Sequence, residues 1–337
     1  MANLITSVES INTQDYELLV KPFLDDPQIQ SLPFDFIFGN MPREIHYNPN
    51  SLDKITGLKS ACGWNNKGDG ISFLKKTLTP IEVDASVKQC YTPVLKKLFG
   101  DKLPDGHRRG ELYPELISLL LSQQLNAFNR DLLSFITLGD TALTPDDYYS
   151  LMNGIYKKLK TGAAAVDGTV DAGVTLDATS LNQTNFLTTM TAVWNAQPRA
   201  LRRIQKAGKA WIWTQSVYDL YTEYLQAKTQ LSAGTIQTQY VTEGFTADKF
   251  LGVNILVLGI VDERLEEDFL TGSPALPEDP YRVILTVPAN HVFLMDGSGY
   301  TSADPVYLPA TDDVLIPATA LIAYEYGQGD LNLYSGF

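Results

Sequence analysis

The chain has 337 residues, of which 44% are hydrophobic and 19% are charged. This is the composition of a globular protein with an ample core, and the length suffices for one large or two medium domains. Acidic residues outnumber basic residues by 39 to 26, which gives a formal net charge of −13. An acidic balance of this size argues against a sequence-specific DNA-binding protein and against a protein that binds anionic membrane surfaces.

The first 87 residues predict extended structure. Residues 1–50 contain Pro22, Pro27, Pro33, Pro42 and Pro49. Prolines at this density disfavour a long helix, so we expect an extended arm that becomes ordered against another surface. Residues 51–87 combine a polar, glycine-rich stretch with short alternating segments, which predicts a hairpin-like projection.

The centre of the chain predicts two helices. A long amphipathic helix is expected over Glu111–Leu138, with Gly139 just past its end. Its predicted buried face follows spacings of three and four. That face consists of Ile117, Leu121, Leu125, Phe128, Leu132 and Phe135. Thr144 and Pro145 then have the residue types of a helix start, which predicts a second helix from Pro145 to Leu159.

The remaining chain alternates helices and strands without a repeated βαβ unit, which predicts an α+β fold. A helix or helix pair is expected over 182–205, a buried strand over 211–214 and a helix over 216–228. A central strand is expected over 250–260, followed by an acidic loop over 262–280 and further strands over 281–293 and 314–325. The loop is expected to be solvated.

No residue cluster in the sequence has the pattern of a catalytic or metal site. His46, His107 and His291 lie far apart in sequence and are expected at the surface or at hinges. Cys62 and Cys90 are expected to be plain thiols. The acidic pairs Glu266/Glu267 and Glu278/Asp279 have the residue types of a glycosidase dyad, but a solvated polar loop is the favoured interpretation. We therefore expect no enzyme activity, no metal and no cofactor.

A basic segment precedes the buried strand. Arg199, Arg202, Arg203 and Lys206 are spaced so that they share one helical face. Two interpretations remain open: a solvated helix end favoured by the helix dipole, or a patch that pairs with acidic residues of a neighbouring subunit.

Three segments carry a resemblance to a known family. They are FITLGDTALTPDDYYSLMNGIYKKLKTG, AWIWTQSVYDLYTEYLQAK and EGFTADKFLGVNILVLGIVDERL. Over roughly residues 85–337 their order and pattern resemble the major capsid proteins of tailed bacteriophages, which have the Hong Kong 97 type fold.

The resemblance implies a domain organisation. Residues 1–50 would be the N-terminal arm, 51–87 the extended loop and 88–165 the peripheral domain with the spine helix. Residues 166–305 would be the axial domain, and 306–337 would return a strand to the peripheral domain.

The resemblance also implies a function and partners. The chain would self-assemble into pentamers and hexamers of an icosahedral virion capsid, inside the host bacterial cytoplasm, and would enclose double-stranded DNA. Portal and decoration proteins are further expected partners, and no membrane contact is expected. Trp64, Glu266, Glu267 and the basic segment would contact neighbouring subunits. A second basic set, expected to face packaged DNA, a subunit or solvent, comprises Lys96, Lys97, Lys102, His107, Arg108 and Arg109.

Two alternatives remain open at this point. One is an encapsulin-like nanocompartment shell protein, which shares the fold. The other is a soluble hydrolase or carbohydrate-binding protein whose site is not recognisable from sequence.

Overall fold

The fold is described from a computed structural model. It describes residues 35–38, 43–47, 74–90, 114–143, 148–162, 168–177, 179–230, 248–266, 280–296, 306–308, 310–311, 313–317 and 319–336. These residues divide into two compact units. The first unit draws its residues from Met1–Met41, Pro80–Ile155 and Phe293–Tyr324, and the second from Pro42–Thr79, Tyr156–Val292 and Glu325–Phe337.

The described chain contains both helices and strands. The helices are α1 (Pro114–Leu138), α2 (Ile155–Gly162), α3 (Phe186–Asn195), α4 (Arg199–Arg203), α5 (Gln215–Gln230) and α6 (Gly259–Arg264). The strands are β1 (Asp35–Phe38), β2 (Arg43–Tyr47), β3 (Leu74–Leu78), β4 (Ile81–Asp84), β5 (Val87–Cys90), β6 (Val170–Asp171), β7 (Ala210–Thr214), β8 (Lys249–Phe250), β9 (Val253–Leu258), β10 (Val283–Thr286), β11 (His291–Asp296), β12 (Val306–Leu308), β13 (Asp313–Ile316), β14 (Thr319–Tyr326) and β15 (Asn332–Ser335).

The long helix α1 confirms the predicted spine helix, and its burial changes along its length. Phe128, Leu132 and Phe135 of the predicted stripe are buried. From Leu132 to Leu138 every residue is buried, so this end is surrounded by protein, whereas the preceding turns expose one side to solvent. Helix burial on all sides is typical of a central core element.

A buried glutamine fixes α1 to the ends of two strands of the first unit. The Nε2 group of Gln124 donates to the carbonyl of Ala85 at 2.7 Å and to that of Ile316 at 3.2 Å. Ala85 directly follows β4, and Ile316 is the last residue of β13. Because buried carbonyls need a donor, these two bonds hold the helix in register with the strand ends.

The predicted second helix is wrong in its first half. Residues 144–147 lie outside the described part, a single 3-10 turn covers Tyr149–Leu151, and α2 begins only at Ile155. The physical reason is close backbone packing at Gly154, whose N–H donates to the carbonyl of Gly139 at 2.7 Å. A Cβ on Gly154 would lie 2.7 to 2.8 Å from three carbonyl oxygens of α1, so only glycine fits there.

A six-stranded mixed sheet forms the centre of the second unit, in the order β6-β15-β10-β7-β9-β8. Strands β7 and β9 run parallel, with Ala210 opposite Asn254 and Thr214 opposite Leu258. Strand β10 runs antiparallel to both β7 and β15. The continuous burial of β7 and β10 reflects cover on both faces of the sheet.

One face of this sheet packs against α3 and α5 through a cluster of aromatic rings. Trp213 and Phe250 lie 5.5 Å apart between ring centroids, and Phe186 stacks on Tyr221 at 5.5 Å. Trp211 joins the cluster, and its indole N–H donates to the carbonyl of Phe250. Large rings of this kind supply most of the burial energy of a core.

The predicted central strand over 250–260 is interrupted. Leu251 and Gly252 form a two-residue turn with positive φ angles of 52° and 79°, so β8 folds back on β9 as a short hairpin. Both central residues of such a turn need φ above zero, which glycine adopts without strain and leucine does not. The strand then ends at Leu258, and α6 follows directly.

His291 is buried and not at the surface as predicted. Its Nε2 atom lies 2.8 Å from the hydroxyl of Thr286, which in turn donates to the Oδ1 atom of Asn332 at 2.6 Å. Burial lowers the pKa of His291 to about 4, against a weaker opposing effect of its hydrogen bond with Asn332. The ring is therefore neutral near pH 7.

The first unit contains a four-stranded sheet, in the order β1-β11-β14-β4, and a three-stranded sheet, in the order β12-β13-β5. In the latter, Asp313 forms a 2.9 Å ion pair with Lys88. Hydrogen bonds from Thr311, Lys88 and Cys90 lower the pKa of Asp313 to about 2. Of the predicted returning segment 306–337, β12, β13 and most of β14 belong to the first unit, whereas β15 belongs to the second. The predicted domain boundaries stay a prediction.

Candidate assembly surface

The basic segment lies directly before β7, in two short turns instead of one helix. Helix α4 starts after Pro198 and ends at Arg203, because Ile204 is extended. Leu201 is fully buried and anchors this turn. Lys206 lies in the 3-10 turn that follows. All four predicted residues, Arg199, Arg202, Arg203 and Lys206, are exposed.

Trp194, near the end of α3, packs beneath part of this segment. The Nζ atoms of Lys206 and Lys209 lie 5.8 and 5.2 Å from the centre of its ring. Both distances are within the range of a cation–π contact. The Arg202 guanidinium donates to the carbonyl of Asn195 in the same helix end. An exposed basic segment backed by tryptophan has the composition of interface hot spots.

Lys209 is a buried cation that the sequence interpretation missed. Its ammonium donates to the Oε1 atom of Gln197 at 2.7 Å, and only 5% of the residue is exposed. Burial lowers the pKa of Lys209, and the positive charge of Lys206 adds to the shift. In the sequence, Lys209 stands between a glycine and an apolar strand. This position alone does not distinguish a buried lysine from an exposed one.

The start of the predicted acidic loop is helical and partly buried, which corrects the prediction for Asp262. This residue belongs to α6, and its carboxylate accepts hydrogen bonds from the backbone N–H of Gln215 at 2.6 Å and of Ser216 at 3.1 Å. The hydroxyl of Ser216 donates to it as well. Burial raises the pKa of Asp262, while these hydrogen bonds oppose the shift.

Asp262 therefore acts as an N-terminal cap supplied from another part of the chain. The N–H groups of the first turn of α5 have no partner within the helix, and a carboxylate satisfies them and the helix dipole together. The carboxyl group of Asp262 is therefore buried within the unit and serves the fold.

The exposed acidic residues of this region are Glu263 and Glu266. Arg264 lies between them and is half-buried. Glu267, the other predicted contact residue here, lies outside the described residues, as do Glu278 and Asp279. The structure thus places Glu266 on the surface.

The base of the predicted projection is a two-stranded ribbon. Strands β2 and β3 pair antiparallel, with Tyr47 opposite Leu74. The 26 residues between them, 48–73, lie outside the described part, so the predictions for Trp64 and for the glycine-rich tip stay predictions.

A lysine ties this ribbon to the end of β14. The Nζ atom of Lys76 lies 3.6 Å from the centre of the Tyr326 ring and 4.0 Å from a carboxylate oxygen of Glu325. Lys158 binds the other oxygen of Glu325 at 2.8 Å. Lys76 thus connects β3 to the end of β14 through one ring and one carboxylate.

Within the ranges given above, no group of three or more His, Cys, Asp and Glu side chains is arranged to hold a metal ion. None of the helices in that part of the chain has the length and apolar character needed to cross a membrane. Cys90 is exposed and lies opposite Asp313 in the sheet.

The architecture as a whole matches solved capsid structures. A chain of the satellite phage P4 procapsid that includes the size determination (Sid) protein matches with a TM-score of 0.58 at 12% identity, covering 97% of this chain and 90% of that one. The capsid of Myoviridae phage XM1 matches with a TM-score of 0.54 at 11% identity, covering 92% of each chain. The chain has the Hong Kong 97 type capsid fold.

A third match broadens this set. The capsid of the native GTA particle matches with a TM-score of 0.52 at 11% identity, covering 92% of this chain and 89% of that one. No protein-family model and no curated protein matches the sequence. The predicted α+β fold of the Hong Kong 97 type is therefore confirmed by structure, at a level of identity that sequence comparison does not reach.

Proposed function

We propose that this chain is the major capsid protein of a tailed phage or prophage. It associates with itself into pentamers and hexamers and then into an icosahedral shell that encloses double-stranded DNA. The observation that carries the proposal is the match to capsid chains over 92–97% of this chain. The role is structural, and the chain performs no catalysis.

The surface chemistry supports self-association. The protein is acidic overall, yet four exposed cations lie within the eight residues from Arg199 to Lys206. Acidic residues of a neighbouring subunit would complement the charge of this basic segment. Obligate interfaces of this kind bury on the order of 2,000 Å² or more. We propose that Arg199, Arg202, Arg203 and Lys206 contact neighbouring subunits, as do Glu266, Glu267 and Trp64.

Further partners follow from the same function. Portal and decoration proteins are expected to bind the assembled shell in the host cytoplasm, and the shell becomes part of the virion. The basic set between Lys96 and Arg109 lies outside the described residues, and we propose that it contacts packaged DNA through phosphates without sequence preference.

Electron microscopy of the purified recombinant protein tests the proposal. Closed shells of uniform diameter are the expected result, and small monodisperse particles would contradict it. The contents of particles purified from induced host cells distinguish a phage capsid from an encapsulin-like compartment. A capsid protects double-stranded DNA from added nuclease, whereas a compartment contains a cargo protein instead.

A further inference from the structure

A cluster of four side chains in the second unit lies beside the ribbon formed by β2 and β3. It consists of Lys76 on β3, Lys158 on α2, and Glu325 and Tyr326 at the end of β14. Lys76 lies in the middle of the ribbon, opposite Ile45. A two-stranded ribbon is only marginally stable by itself, so its stability and its direction depend on side-chain contacts to the rest of the unit.

The Tyr326 ring packs against α2 and contacts β3. Its side chain is buried, and its hydroxyl lies against the backbone of Gly162, at the end of α2, where a Cβ atom would collide with it. The Nζ atom of Lys76 lies 3.6 Å from the centre of the ring. A cation this close to a ring face is attracted to it, most strongly where water is partly excluded. The ring therefore gives β3 a fixed point of contact.

Glu325 contacts both lysines of the cluster. Its Oε2 atom lies 2.8 Å from the Nζ atom of Lys158, and its Oε1 atom lies 4.0 Å from that of Lys76. The Oε1 atom also accepts the backbone N–H of Tyr326 at 3.2 Å, which holds the carboxylate in place. The side chains of Lys76, Lys158 and Glu325 are only 21%, 24% and 18% exposed, so water and salt screen these charges less than at an open surface.

Glu325 is the only acidic residue of β3, α2 and β14. The other charged residues of these three elements are the cations Lys75, Lys157 and Lys160, and β2 adds Arg43 and Glu44, which lie opposite Leu78 and Thr77 in the ribbon. Lys75 is next to Lys76 in the strand, so its side chain points to the opposite face of the ribbon. Without the charge of Glu325, Lys76 and Lys158 would be two like charges at a partly buried site.

We infer that Glu325 is a positioning residue for the ribbon. It holds Lys76 on the Tyr326 ring against the repulsion of Lys158, and it thereby fixes the direction in which β2 and β3 leave the second unit. The inference rests on the proposed self-assembly for its purpose, since the ribbon carries residues 48–73, which are expected to contact neighbouring subunits. A ribbon that is fixed before assembly avoids the entropy cost of ordering it in the contact.

Amide hydrogen exchange in unassembled full-length subunits, measured by mass spectrometry on a peptide that covers Leu74–Leu78, tests the inference. In Glu325→Gln we expect this peptide to exchange at least about fivefold faster, because a ribbon without its contact opens more often. Lys76→Met keeps an unbranched side chain and removes the same contact from the side of the ribbon, so the same acceleration is expected. The circular dichroism spectrum of both variants is expected to match that of wild type.

The double variant Lys76→Met/Glu325→Gln distinguishes positioning from a general structural role. If Glu325 acts through Lys76, the double variant exchanges no faster than either single variant, whereas independent effects would multiply. The control is Glu223→Gln, an exposed residue of α5 with the same change of charge, which is expected to exchange like wild type.

Unchanged exchange in either single variant, or multiplied effects in the double variant, would overturn the inference. The measurement needs no assembly. Wild-type protein that forms no shells would therefore contradict the proposed function and leave the exchange result standing.

Discussion

The buried histidine of the second unit predicts a specific loss of stability in mild acid. His291 has a folded-state pKa of about 4, below the ordinary value of 6.5. The unfolded chain therefore binds more protons than the folded chain between these values. The contribution of neutral His291 to the free energy of unfolding is therefore fully present above about pH 6.5 and is lost as the pH drops towards 4.

The size of the loss follows from the same two values. At pH 5 the histidine alone is expected to lower the free energy of unfolding by about 2 kcal/mol, and below pH 4 by about 3 kcal/mol. Other groups also titrate in this range, so the histidine contribution is obtained as a difference between wild type and His291→Gln. Glutamine stays neutral over this pH range and has an amide N–H that can replace the ring N–H as a donor.

Urea unfolding at pH 7.5, 6, 5 and 4.5, followed by tryptophan fluorescence, measures this difference. Three of the four tryptophans, Trp194, Trp211 and Trp213, belong to the described part of the second unit, so most of the signal reports on the unit that contains His291. Protein concentrations must be low enough that light scattering shows no assembly. Parallel pH curves for wild type and variant, even if offset by a constant, would refute the reasoning.

Three further predictions concern the fold and the projection. Leu132→Asp places a charge at a fully buried site of α1, so we expect destabilisation by several kcal/mol and insoluble protein. The control Gln123→Asp, at an exposed site of the same helix, is expected to stay soluble. Gly154→Ala forces the backbone off the carbonyls of α1 and is expected to cost about 1–3 kcal/mol in thermal unfolding. Gly208→Ala is expected to have a smaller effect, because its Cβ would meet one side-chain methyl group, the Cγ2 of Ile204 at 3.2 Å, and no backbone atom. Deletion of residues 65–69 is expected to leave the circular dichroism spectrum unchanged and to abolish shells; loss of the folded spectrum would show that these residues belong to the fold.

The sequence predicted those elements that local patterns determine. Helix α1, the strand at Trp211 and the helix that follows it were recognisable from spacing and from turn residues, and the structure confirms them. The order of elements also sufficed to identify the fold, although no single motif did.

The failures share a physical cause, namely partners that are distant in sequence. Asp262 caps a helix 46 residues earlier, and Thr286, next to His291, binds Asn332 at the same separation. No local pattern contains such partners, so Asp262 and His291 were both expected at the surface. The late start of α2 likewise depends on contact between Gly154 and α1.

The candidate surface was partly predictable. The cluster of cations over residues 199–206 is visible in the sequence itself, and all four predicted residues are exposed in the structure. Their distribution over two turns, and the position of the acids at the other end of the sheet, depend on the parallel pairing of β7 and β9. Periodicity does not specify which strands become neighbours.

The position of β15 has a consequence for biosynthesis. This strand lies inside the sheet, between β10 and β6, and all four of its residues are buried, yet it follows β10 by 46 residues when counted from Thr286 to Asn332. While the ribosome is still translating that stretch, β10 has an open edge, which is the kind of surface that pairs with the wrong strand. The second unit completes its sheet only after Ser335 has been made. Prematurely terminated chains that lack β15 therefore lack the finished sheet of the second unit.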